Sequence, residues 1–146
     1  MFGVELQHPR IGVNPVIWSN DDLPALGDHI SLERCLSEAR AAGYAGIELG
    51  HKFPRTADVL GPLLEDHDLA LVSGWYGGRL LERGVEAELE AAEPQVELLS
   101  ALGCEVLIYA EVSGCVHGTR GQPIEARRRL SAEDLPAFGV ALTAFA

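Results

Sequence analysis

The side chains of this sequence best suited to chemistry fall into four short groups. Asn14, Trp18, Ser19, Asn20, Asp21 and Asp22 form the first, and Glu48, His51 and Lys52 the second. Trp75, Tyr76 and Arg79 form the third, and Glu111, Ser113, Cys115 and His117 the fourth. Amide, carboxylate, hydroxyl and cationic groups among flat aromatic faces suit a small polyhydroxylated ligand. The polar groups bind hydroxyls while tryptophan covers the apolar C–H faces. Lys52 and Arg79 could polarise a carbonyl or steady an enolate, and Glu48, Glu111 and His51 could exchange protons. A carboxylate beside a lysine in a dry site moves either group toward the working pH.

Each group also has a plainer reading. Glu48, between Ile47 and Leu49, could pair structurally with Lys52, and His51 with Lys52 could be a solvated loop pair. Trp75 and Tyr76 could be packing residues, and Asn20-Asp21-Asp22 could start a turn. Glu111, Cys115 and His117 lack a full metal shell and read as loop. Other chemistries lose support outright. No GxGxxG follows the first strand, and GxxxxGK[ST], GxSxG and HExxH are all absent.

Elements must carry these groups, and one unit recurs: a short apolar strand, a polar loop, then a helix with 3.6-residue periodicity. The expected strands are Ile11–Asn14, Gly46–Leu49, Ala70–Ser73 and Val106–Tyr109. The first helix starts at Ser31, an N-cap, buries Leu32, Cys35, Leu36 and Ala39, and ends at Gly43. The second spans Thr56 to His67, kinked at Pro62 or starting late near Gly61. The third spans Val85 to Leu102, with Val85, Leu89, Ala92, Val96 and Leu99 as its buried stripe and a kink at Pro94. A Gly-rich loop from Val112 to Leu130 precedes a last helix carrying Leu135, Phe138, Leu142 and Phe145. Alternating β and α elements imply right-handed crossovers and a parallel sheet, with ligands at the carboxyl ends of the strands.

The 146 residues form one unit without an internal boundary, and 47% hydrophobic content supports a core. The net charge of −11 disfavours nucleic acid and anionic membranes. No apolar run is long enough for a membrane span. The N-terminal residues lack the pattern of a secretory signal, and three sparse cysteines suit a reducing compartment, so the expected location is the cytoplasm. Arg127-Arg128-Arg129 reads as a solvated run.

Four segments carry a family resemblance: GVNPVIWSNDDLPALG, GYAGIELGHKFP, LVSGWYGGRLLERGVEAEL and YAEVSGCVHG. They resemble, in order, the inosose dehydratases of myo-inositol catabolism, members of the xylose-isomerase-like β/α barrels. The resemblance implies the first four strand–helix units of a (β/α)8 TIM barrel, a half barrel of parallel strands. It implies a lyase that removes water from 2-keto-myo-inositol through an enediolate, with cobalt or manganese as the divalent metal. The candidate catalytic residues are then Lys52, Glu111 and His51. Asn14, Trp18, Glu48, Trp75, Arg79 and Ser113 are the candidates for substrate binding. No metal ligand is carried over, because the family's metal-binding residues come mainly from the later strands. The apolar stripe of the last helix is still live at Phe145, so the expectation is an N-terminal half, inactive alone. Alternatives are a sugar isomerase or epimerase of the same superfamily, or a non-catalytic half barrel that pairs with itself or with a C-terminal half.

Overall fold

The computed structural model describes residues 9–117, 119 and 121–146. The start of the chain considered for a secretory signal lies mostly outside them. Four strands, β1 (Gly12–Val13), β2 (Gly46–Leu49), β3 (Ala70–Gly78) and β4 (Leu107–Glu111), form one sheet in the order β1-β2-β3-β4. Every neighbouring pair is parallel. Helices α1 (Leu32–Ala41), α2 (Ala57–Asp66), α3 (Leu80–Arg83), α4 (Val85–Ala101) and α5 (Leu135–Phe145) alternate with the strands. The arrangement is that of a half barrel.

One face of the sheet carries the core. Ile47, Leu49 and Leu71 are buried there against Leu36 and Ala39 of α1, Leu60 and Leu64 of α2, and Leu98 and Leu99 of α4. Ser31 Oγ accepts from Arg34 N at 3.2 Å and fixes the start of α1. Gly43 follows its end at φ +89°, a conformation that costs glycine little.

The opposite, inner face is tightly packed near the strand starts. A Cβ on Gly46 would overlap Val72 Cγ1 and approach Ala70 O to 2.7 Å, so only glycine lets Val72 lie across β2. Between Ile47 and Glu48 the β2–β3 register shifts: Ile47 pairs with Leu71, but Glu48 pairs with Ser73. This bulge places an extra residue, Val72, in β3 and turns the rest of that strand over.

Several local expectations are corrected. β3 does not end at Ser73; it runs on through Trp75 and Tyr76 to Gly78. Its glycines make room for side chains: Gly74 faces Leu99 and Gly78 lies under the Tyr109 ring. Glu111 is the last residue of β4 rather than part of the loop. The short helix α3 was not foreseen. α2 spans Ala57–Asp66 between the expected limits Thr56 and His67, so it does not start late near Gly61, and it continues through Pro62. In α4, Ala92 and Leu99 are buried as expected, but Leu89 and Val96 are exposed whereas Glu88 and Leu98 are buried, so the buried stripe is rotated from the expected one.

Candidate functional site

The bulge sets up the first cluster. It turns Ser73 to the inner face, where Ser73 Oγ donates to Glu48 Oε2 at 2.6 Å. Asn14, immediately after β1, donates through Nδ2 to Glu48 Oε1. Asn14 is itself held, because its Oδ1 accepts from Val16 N at 2.8 Å as the N-cap of the 3₁₀ turn Pro15–Ile17. Glu48 is buried by β1 and β3 on either side, with one donor on each oxygen. A carboxylate offers about four lone-pair sites, so acceptor capacity remains on both atoms.

Two residues beyond Ser73, and therefore on the same face, Trp75 stands 41% exposed. Together with Asn14, Val16, Asp21, Asp22 and Glu48 it lines an open cleft of about 150 Å³. That is about half the smallest volume usual for a ligand pocket, so these strands supply part of a wall rather than an enclosure.

His51 stands beside the cleft, its Nδ1 2.6 Å from Asp21 Oδ1. With Nδ1–H donated to that carboxylate, Nε2 is left as the reactive nitrogen. His117, from the loop after β4, approaches Asp22 Oδ1 at 3.5 Å. Among the described residues, no three His, Cys, Asp or Glu side chains converge as a metal site would require.

Lys52 is placed differently. Its ammonium donates to three backbone carbonyls, Gly27 O at 2.8 Å, Asp28 O at 3.0 Å and Ile30 O at 2.6 Å. It forms no pair with Glu48. Trp18 likewise turns from the cleft, donating its indole N–H to Glu38 Oε2 of α1 at 2.7 Å.

The second cluster lies on the helix side of the sheet. Glu111 Oε2 accepts from Tyr109 OH at 2.7 Å and from Leu81 N at 3.4 Å, and Oε1 accepts from Ser113 N at 2.9 Å. Burial raises the Glu111 carboxyl, but the Ser113 hydroxyl, the Tyr109 hydroxyl and the two backbone N–H groups outweigh it and hold it below the usual range. The Ser113 hydroxyl favours the charge by proximity alone; it is buried and makes no hydrogen bond of ordinary geometry.

Glu88, in the first turn of α4, accepts from Tyr76 OH at 2.7 Å, from Arg79 N at 3.0 Å and from Arg83 Nη1 at 3.4 Å. Burial and the neighbouring Glu88 push the Tyr76 phenol up to about 12. Burial and Glu111 move Tyr109 upward as well. Arg79 belongs here too, its Nε bonded to Glu82 at 2.8 Å.

The sequence-derived candidates therefore separate. Asn14, Glu48 and Trp75 meet in the cleft, with His51 beside it. Glu111, Ser113 and Arg79 meet on the other face. Lys52 and Trp18 each hold a neighbouring element. Ser73, Asp21 and Glu88 were not among the candidate catalytic and binding residues, and Glu88 carried no distinguishing signal, because Glu86 and Glu90 flank it in the same helix.

Comparison with known proteins adds a second kind of observation. The rhizopine catabolism protein MocC of Rhizobium meliloti is 48% identical over 134 residues, which cover 92% of this chain and 41% of that protein. An inosose dehydratase of Mesomycoplasma hyopneumoniae is 35% identical over 114 residues, covering 78% of this chain and 38% of the enzyme. One from Clostridium perfringens is 34% identical over 115 residues, with 79% and 39% covered. No family model matches the chain. The chain spans about two fifths of the length of these curated relatives.

Proposed function

The chain belongs to the sequence family of the inosose dehydratases and MocC, and on that premise we propose that its inner-face cleft is part of a site that dehydrates 2-keto-myo-inositol in the whole protein. The reaction removes a proton from the carbon next to the ketone, passes through an enediolate, and expels the neighbouring hydroxyl as water. A trihydroxycyclohexane dione results.

One observation carries the reading: a buried carboxylate, Glu48, fixed by a donor on each oxygen and facing an exposed tryptophan at the carboxyl ends of parallel strands. Asn14 and Ser73 hold Glu48 in one orientation, leaving its remaining lone pairs to accept a substrate hydroxyl or a proton. Trp75 covers the C–H face of the ring. His51, steadied by Asp21, moves protons at Nε2. The divalent metal that the family implies is a Lewis acid suited to an enediolate. No three ligating side chains converge among the described residues, which do not fit it as a set, so no step of this chain is routed through it.

Nuclear magnetic resonance tests the reading directly. Adding 2-keto-myo-inositol to the chain should shift the Trp75 indole and Asn14 side-chain signals, whereas glycerol should not. Unmoved signals at millimolar ketone would overturn it. With the whole protein, loss of one water from the substrate mass is expected; conversion at unchanged mass would favour an isomerase instead.

A further inference from the structure

Ten of the eleven basic side chains in this sequence are arginines; the single lysine is Lys52. It stands where three backbone carbonyls, of Gly27, Asp28 and Ile30, converge within 3.0 Å of one nitrogen. An ammonium has three donors at a point, so this cage saturates it, whereas a planar guanidinium spreads its donors over a fork and does not match. We propose that Lys52 is a positioning residue: its ammonium closes the β1–α1 loop by filling a carbonyl cage, and so presents Asp21 and Asp22 to the cleft.

The loop is built to form that cage. Gly27 has φ +83°, and a Cβ there would run into the Trp18 and Ser19 backbone, so the chain crosses itself closely at this point. Asn20 N donates to Leu26 O at 3.0 Å, and Asn20 Oδ1 accepts from Asp22 N at 3.0 Å and Leu23 N at 2.7 Å. These bonds shape the tip of the loop, but they tie it only to itself. Lys52 ties it to the segment after β2. His51, the adjacent residue, then meets Asp21 at 2.6 Å. With all its protons committed to carbonyls, Lys52 acts on a ligand only through Asp21, Asp22 and His51. The inference uses the proposed substrate only for its last consequence, and the cage is tested without any ligand.

In the unaltered protein, the ammonium of Lys52 should exchange its protons slowly enough to give a nitrogen-15 signal near neutral pH. It should also react with acetic anhydride far more slowly than the N-terminal amine. A fast-exchanging, freely acetylated Lys52 would overturn the proposal, whatever the variants do.

Lys52→Ala should abolish the His51 ring signature of the Asp21 contact, identified by its loss in His51→Gln, and Lys52→Arg should not restore it. Methylammonium chloride, which can re-enter the cage, should bring the signature back in Lys52→Ala. Tetramethylammonium, which has no N–H, should not. Equal effects of the two salts, or an unchanged His51 signal in Lys52→Ala, would refute the cage. If the unaltered chain binds 2-keto-myo-inositol, Lys52→Ala should weaken it roughly tenfold, with recovery in methylammonium. No binding by the unaltered chain would count against the proposed function and leave the ligand-free tests to decide the cage.

Discussion

The sheet carries a carboxylate cluster on each face, built from similar parts toward different ends. On the helix side, Glu88 is wholly buried and receives a phenol, a backbone N–H and a guanidinium, while Glu111 receives another phenol and two backbone N–H groups. On the inner face, Glu48 receives only an amide and a hydroxyl, beside an open cleft and an exposed tryptophan. Three donors on each carboxylate mark a brace, and two donors beside an open cleft mark a site. Glu88 and Glu111 pin α3 and α4 to the strand ends, where the unpaired N–H groups of a four-residue helix need acceptors. Glu48 is fixed just firmly enough to have one orientation.

Breaking the brace should produce the largest effect. Glu88→Ala leaves Tyr76, Arg79 N–H and Arg83 without their acceptor, and should cost roughly 3–5 kcal/mol in urea unfolding. A loss below about 1 kcal/mol would erase the distinction between the faces.

Tyr109→Phe removes a donor to Glu111 and an acceptor for Leu80 N, and should cost about 1–3 kcal/mol. The brace also has a pH signature. Tyr76 and Tyr109 are raised in the fold, so their contribution is complete below the unfolded tyrosine value of about 10 and is lost as pH rises through the folded values. Glu111 is lowered, so its contribution is complete above the unfolded carboxyl value of about 4.3 and is lost as pH falls below it. Urea midpoints across pH should fall at both ends, and Tyr76→Phe with Tyr109→Phe should flatten the alkaline limb alone.

Glu48→Gln keeps the shape of the inner site, and should cost at most about 1–2 kcal/mol of stability while abolishing the ketone-induced shift of Trp75. Trp75→Ala should have the smallest effect on folding, within about 1 kcal/mol, with ligand response lost by the same measure. A large destabilisation here would recast Trp75 as packing.

The alternation of elements, the Ser31 cap and the β2 strand were legible because each depends on local pattern. Asn14, Glu48 and Trp75 were legible as strand-end residues. The division of labour was not. Lys52 and Glu111 looked catalytic by residue type, yet Lys52 is met by backbone carbonyls more than twenty residues away, which carry no residue-type signal, and Glu111 by Tyr109 and Ser113 two residues to either side and by the distant Leu81 N–H. Glu88 was hidden because its burial depends on a tyrosine, a backbone amide and an arginine arriving together. The length of β3 was misread because its glycines, usual in turns, here make room for Leu99 and Tyr109.

The extra residue in β3 has a consequence for how such a protein could change. If β3 paired without the register shift, with Val72 opposite Glu48, Tyr76 would take the place of Trp75 on the inner face, and Trp75 would enter the helix layer. Deleting the Val72 codon would remove the bulge and leave both rings on their own faces, whereas adding a codon between the bulge and Trp75 would exchange the aromatic wall of the cleft for the anchor of the brace and spoil both. The phase of a single strand couples ligand chemistry to stability, so substitutions can tune either face separately, but an added residue between the bulge and Trp75 cannot.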